Sequence, residues 1–210
     1  MEILSQLKEK IISAVLYYYI DFVYKTSKIE KKGNLKYLES DYPDKFVLFI
    51  WHGDSYCYYP FLKRKKLNIV TTQNKRGGVI TRISNHFGYD VLRLPDTAAD
   101  GNYMFQLKSQ INKTNNANLV LSVDGPEGPE HQIKDFAIIM ALFSDRKILP
   151  LTVDIKHSIS LKNRWDKLKI PLPFNKITIN VKKPFEIERK DRKEKFKSLK
   201  KEIKKSMENF

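Results

Sequence analysis

The chain is short of several things, and each shortage narrows what it can be. A single cysteine, Cys57, excludes an internal disulfide framework and any zinc site built on several cysteines. No cleavable secretory signal is visible, so a reducing compartment is expected. Eight glycines and nine prolines in 210 residues are too few for a collagen-like or linker-dominated chain. Acidic residues are scarce beside basic ones, 24 Asp and Glu against 39 Lys and Arg, giving a net charge of +15. Such a surface associates with polyanions, whether nucleic acid, anionic lipid headgroups or an acidic carrier protein. Because 31 of the basic residues are lysines scattered through a chain also rich in Asn and Ile, compositional bias is the alternative explanation for most of the excess. No run is long enough to span a bilayer. The densest apolar stretch, Ile11–Tyr24, is 14 residues long and contains Ser13 and Asp21, where a spanning helix needs about 20 mostly apolar residues.

What is present suffices for one well-packed domain: 41% of residues are apolar and 12% aromatic, well outside the range of disordered chains. Leu4, Leu7, Ile11 and Val15, with Ile12, Leu16, Ile20 and Val23, recur at helical spacing and predict an amphipathic N-terminal helix within residues 1–28. Tyr17, Tyr18, Tyr19 and Tyr24 suit a membrane–water interface, and Lys8, Lys10, Lys25 and Lys28 suit anionic headgroups. The alternative is a helix packed on the core. After a polar stretch, Glu30–Asp44, strands are expected at Phe46–Trp51, Leu67–Thr72, Tyr89–Leu94, Asn118–Val123, Ile148–Ile155 and Lys176–Lys182. Helices are expected between them at Ser55–Leu62, Gly78–Phe87, Gly101–Thr114 and Phe136–Phe143. Continuous apolar strands alternating with amphipathic helices indicate a single α/β domain over residues 46–185, a mixed and mostly parallel sheet flanked by helices. A Lys-rich helix within residues 188–210 closes the chain, its stripe of Phe196, Leu199, Ile203 and Phe210 facing the core.

Three features fall just past the carboxyl ends of strands, where α/β folds place their sites. His52 leaves the buried strand FVLFIW into a glycine turn, with Asp54 close by; His is the usual general base near neutral pH. The segment Asp124-Gly125-Pro126-Glu127-Gly128-Pro129-Glu130 follows NLVLSV and makes a constrained loop with carboxylates at fixed offsets. Lys75-Arg76-Gly77-Gly78 precedes a helix, and Arg93 ends the next strand. Basic side chains there suit phosphate or carboxylate. Each alone also fits an ordinary turn or a histidine satisfied by backbone.

The order and spacing of FIWHG (Phe49–Gly53), VDGPEGP (Val123–Pro129), ILPLTV (Ile148–Val153) and WDKLKIPLPF (Trp165–Phe174) resemble the lysophospholipid acyltransferase superfamily, in its bacterial, lipid A acyltransferase-like branch. The resemblance covers roughly Phe46 to Phe185. It implies a glycerol-phosphate acyltransferase-like fold and transfer of a fatty acyl group from a thioester, on acyl carrier protein or coenzyme A, to a hydroxyl of a lysophospholipid or lipid A-type glycolipid. His52 matches the family histidine that takes the proton from that hydroxyl. Gly125, Glu127 and Gly128 fall in the acceptor-binding block, and Arg93 falls where a strand-end arginine contacts an acceptor phosphate. Lys75 and Arg76 join them as substrate-binding candidates, and Pro150 matches a later structural block. No metal or other cofactor is implied, because a thioester is already activated. A peripheral place on the cytoplasmic face of the inner membrane is implied as well.

The chain departs from the family pattern in three places. Cys57 stands where H-x-x-x-x-D carries the acid that orients the histidine. Gly77-Gly78 replaces the branch's D-G, and Arg93-Leu94-Pro95 replaces R-G-S. Asp54 or Asp124 is therefore expected to orient His52. Cys57 as an acyl-accepting nucleophile, with His52 as its base, is a further option. A catalytically degenerate lipid-binding member is the main alternative function. A nucleic-acid-binding module is disfavoured, since the lysines are dispersed rather than clustered with stacking aromatics.

Overall fold

In the computed structural model, residues 2–63, 65–94, 103–114 and 117–209 are described, with backbone alone at 2–5 and 103–107. The expectations on Leu4, Pro95, Phe210 and the start of the Gly101–Thr114 helix lie outside the residues or side chains described. The chain begins with α1 (Glu2–Thr26) and β1 (Lys28–Gly33), followed by β2 (Phe46–Ile50) and α2 (Tyr58–Phe61). Next come β3 (Leu67–Thr72), α3 (Lys75–His86), β4 (Asp90–Leu94), α4 (Tyr103–Asn112), β5 (Asn118–Ser122) and α5 (Asp135–Phe143). The last part holds β6 (Lys147–Ile155), β7 (Ser158–Ser160), β8 (Lys169–Pro171), β9 (Lys176–Val181), α6 (Arg189–Lys193) and α7 (Lys197–Glu208).

The result is a single α/β domain on a seven-stranded sheet of order β1-β9-β6-β2-β5-β3-β4. The five strands from β6 to β4 run parallel, while β9 is antiparallel to β6 and β1 follows β9. The strand pleat divides the core in two. From β2, Phe46, Leu48 and Ile50 face one side, with Ile20 and Val23 of α1, Tyr58, Tyr59 and Phe61 of α2, and Ile83 of α3. Val47 and Phe49 face the other, with Ile111 of α4, Ala137 and Ile138 of α5, and Leu199 and Ile203 of α7. Residues 46–49 are wholly buried, each stabilising the fold by about 1.5–3 kcal/mol. Pro150, with no N–H to offer a ladder, falls where β6 stops pairing with β2 and begins pairing with β9.

The structure adds elements that polarity hid. β1, KIEKKG, starts at the end of the expected helix region and runs into the stretch read as polar, and as an edge strand its side chains are mostly exposed. In place of a helix from Ser55 there is a 3-10 turn, His52–Cys57, then the single turn of α2. α3 starts three residues earlier than expected because Asn74 caps it, its side chain accepting from Gly77 N–H at 2.9 Å. β7 and β8 form a separate two-stranded ribbon within residues 156–175, a strap closed at its base by His157 N–H on Asn175 Oδ1 at 3.0 Å.

α1 carries apolar residues all round. Ile20 and Val23 are buried, and Leu16, Tyr17, Tyr19 and Tyr24 pack against the core. Leu7, Ile11, Val15, Tyr18 and Phe22 point outward. Of the four tyrosines suited to a membrane interface, Tyr18 alone is largely exposed, at 70%. Among the described residues no helix is long and apolar enough to cross a membrane.

Candidate active site

β2 and β5 are paired neighbours at the centre of the sheet, so the residues that follow them meet above its carboxyl edge. His52 follows β2 and Asp124 follows β5. Asp124 is fully buried, and its Oδ1 accepts the backbone N–H of His52 at 3.0 Å. Burial pushes the Asp124 carboxyl up to about 6, against the pull of backbone amides including those of His52 and His131. Asp124 therefore fixes the main chain at His52.

The carboxylate on the His52 ring is that of Asp166: Oδ2 lies 2.7 Å from Nδ1. This corrects the expectation that Asp54 or Asp124 orients the ring. Asp54 is buried and its carboxylate is turned to Lys169, 2.8 Å away on β8; burial raises its pKa despite that cation. Asp166 has no exposed side-chain surface. Burial alone would push its carboxyl up. Two hydrogen bonds from Arg164 (Nε to Oδ1 at 2.9 Å, Nη2 to Oδ2 at 2.8 Å) and the His52 charge prevail and hold it at about 2. The His52 pKa is lowered, chiefly by burial and further by the charges of Arg164 and Arg76, against the pull of Asp166. Burial thus favours the uncharged ring. An ionised carboxylate at Nδ1 requires the proton there, which leaves Nε2 as an acceptor. The ring keeps 31% of its surface exposed.

Close packing brings Asp166 there. A Cβ on Gly53 would stand 2.3 Å from the Asp166 carbonyl oxygen, and one on Gly128, at φ +69°, would stand 2.3 Å from the Trp165 ring. Both positions need glycine for this approach. Trp165 also lies 5.2 Å from the His52 ring, centroid to centroid. The strap is thereby wedged between the His52 turn and the Asp124–Glu130 loop, and Lys167 on Glu130 at 2.7 Å adds a tie. Asp166 escaped the sequence reading although WDKLKIPLPF was singled out. A signal was present: an acid within a motif already singled out, in a chain lacking the acid expected at position 57.

The other candidates are dispersed. Lys75 and Arg76 are exposed in the first turn of α3, and Arg76 is near enough for its charge to bear on His52. Arg93 turns its guanidinium onto main-chain carbonyls, donating to Gln73 O at 2.8 Å and to Thr72 and Asn74 O at 3.3–3.4 Å. It holds the turn that begins α3. Gly125 is half-buried, Glu127 is exposed and Gly128 is buried under Trp165. Cys57 is buried and free, and burial pushes its thiol far above the ordinary range. Burial thus disfavours the thiolate, the form a nucleophile needs.

No protein-family model matches the chain. An uncharacterized protein of Rickettsia prowazekii (strain Madrid E) is 26% identical over 182 residues, which cover 83% of this chain and 80% of that protein. Among solved structures, the 1-acyl-sn-glycerophosphate (LPA) acyltransferase PlsC from Thermotoga maritima superposes with a TM-score of 0.54. The identity is 12%, and the match covers 98% of this chain and 84% of that one. The likeness is one of fold: the α/β architecture of this chain is similar to that of a glycerophosphate acyltransferase.

Proposed function

We propose that this protein is a peripheral membrane O-acyltransferase. It moves a fatty acyl chain from an acyl carrier protein or coenzyme A thioester to a hydroxyl of a lysophospholipid or lipid A-type glycolipid. The observation that carries this reading is His52. Its imidazole stands past the central strand with a carboxylate on Nδ1, which places the ring proton there and leaves Nε2 to accept one. As the acceptor hydroxyl loses its proton to Nε2, its oxygen attacks the thioester carbonyl. A C–O bond forms, the C–S bond breaks, and the proton passes to the departing thiolate. Lys75 and Arg76 receive an anionic group of the acceptor or donor at the start of α3, on the turn that Arg93 holds. The Gly125–Gly128 segment, with Glu127, lines the acceptor side.

The membrane assignment rests on the outer face of α1. Leu7, Ile11, Val15, Tyr18 and Phe22 form an exposed apolar stripe that continues to Phe174, 78% exposed and 6.4 Å from Phe22 between ring centroids. The adjoining strap, residues 156–175, carries five cations; Arg164, Lys167 and Lys169 are paired with Asp166, Glu130 and Asp54, which leaves Lys156 and Lys162 to form the rim. An apolar stripe beside a cationic rim fits an anionic bilayer surface, and the cytoplasmic face of the inner membrane is the place we assign.

The test is mass-spectrometric detection of acyl transfer from acyl carrier protein and acyl-CoA into a total lipid extract, wild type against His52→Ala. A new acylated lipid that requires His52 is expected, and its mass names the acceptor. Absence of product from a folded wild type that still binds vesicles would overturn the enzyme in favour of a lipid-binding protein.

A further inference from the structure

We propose that Asp166, held by Arg164, positions His52 for proton transfer, taking the place of the acid missing at position 57. The assignment rests on the acyl-transfer reading above. Four observations on different residues converge on it. The Asp166 carboxylate lies 2.7 Å from His52 Nδ1 and has no solvent-exposed surface, so this hydrogen bond is shielded from water. Arg164 donates twice to the same carboxylate, one bond to each oxygen, fixing its plane as well as its charge. The turn that carries both residues is closed at its base by Leu161 N–H on Leu168 O at 3.0 Å, and Leu168 N–H returns to Asp166 Oδ1 at 3.3 Å. Gly53 and Gly128 leave room for that turn and for no side chain of their own.

The nearer acids are committed elsewhere, Asp54 to Lys169 and Asp124 to the His52 main chain. Cys57 offers no charge to the ring. The strap thus supplies from 114 residues away what a neighbouring turn of the chain does not. Asp166 touches neither substrate. Its work is to hold one tautomer and one ring orientation, and to stabilise the imidazolium while it carries the proton.

The charged groups felt at the ring are Asp166, Arg164 and Arg76, which gives a test with opposite signs. His52 is titrated by NMR in the full chain with 15N-labelled histidine, as wild type, Asp166→Asn and Arg164→Gln, and each protein is assayed for acyl transfer. Asp166→Asn is expected to lower the His52 pKa, and to lower kcat by about 10²- to 10⁴-fold with KM within about threefold. Arg164→Gln is expected to raise the His52 pKa and to cut kcat about tenfold. It also keeps the assignment testable if Asp166→Asn fails to fold. An unshifted titration in the folded variants, or kcat within threefold of wild type for Asp166→Asn, overturns the assignment. Shifted titrations in the variants, with no acyl transfer by the wild type, sink the acyl-transfer reading and leave the pair standing.

Discussion

Two buried carboxylates flank His52, and they respond to acid in opposite senses. Asp166, held at about 2, is ionised in the fold at lower pH than in the unfolded chain. Its stabilising contribution is present above the usual carboxylate range and is lost as pH falls from about 4 toward 2. Asp124 is raised to about 6, so the fold holds its proton more tightly than the unfolded chain does. Stability from Asp124 therefore falls as pH rises from about 4 through 6, by on the order of 3 kcal/mol. Asp124→Asn keeps an acceptor for the His52 N–H without the buried charge. It is expected to raise stability at pH 8 and to flatten the pH 4–6 slope in denaturant titrations; an unchanged slope would show that Asp124 is not the titrating group. At this scale His52 and Asp124 were legible in the sequence, because each directly follows a continuous apolar strand. The charge on Asp166 was legible too, but its destination was not: spacing along the chain says nothing about a contact made across 114 residues.

Among the elements, the strap joins the site to the rest of the molecule. Its far end meets α1 through Tyr19 Oη on Pro171 O at 2.9 Å and Phe22 on Phe174, while its turn completes the site at Gly53 and Gly128. Gly53→Ala is expected to force the Asp166 main chain back, costing about 1–3 kcal/mol of stability as overpacking does. Because the same displacement lengthens the Asp166–His52 hydrogen bond, kcat is expected to fall tenfold or more even at temperatures where circular dichroism reports a full fold. Wild-type kcat from a folded Gly53→Ala protein would show that the strap docks independently of His52. The six strands expected from apolar runs are present within a residue at each end, since burial on both faces demands uninterrupted apolar sequence. β1, β7 and β8 were not visible. An edge strand and a surface ribbon bury too little for their side chains to declare them.

For the whole molecule, the two faces of α1 bear on association with a lipid surface. Deleting residues 1–24 would expose the core beneath Ile20 and Val23, so the outer face alone is the clean target. Ile11→Gln, Val15→Gln and Phe174→Gln combined remove three exposed apolar side chains. Full burial of each is worth about 1.5–3 kcal/mol, so half-burial in a bilayer implies a partition loss of tenfold or more. Sedimentation with phosphatidylglycerol vesicles is expected to show that loss with an unchanged melting temperature, and added salt to weaken wild-type binding further. Equal partitioning of the triple variant would sink the outer face as the docking surface.

The sequence by itself determined the α/β class, the central strands, the helices that follow β3, β4 and β5, and the placing of His52 and Asp124 at strand ends. Those follow from period and burial, which are local properties of the chain. Only the tertiary structure decided which acid serves His52, that Cys57 is sealed in the core, that Arg93 braces a turn, and which side of α1 faces outward. Each of these depends on what a side chain meets across the fold, where distance, solvent exclusion and neighbouring charge are set by packing.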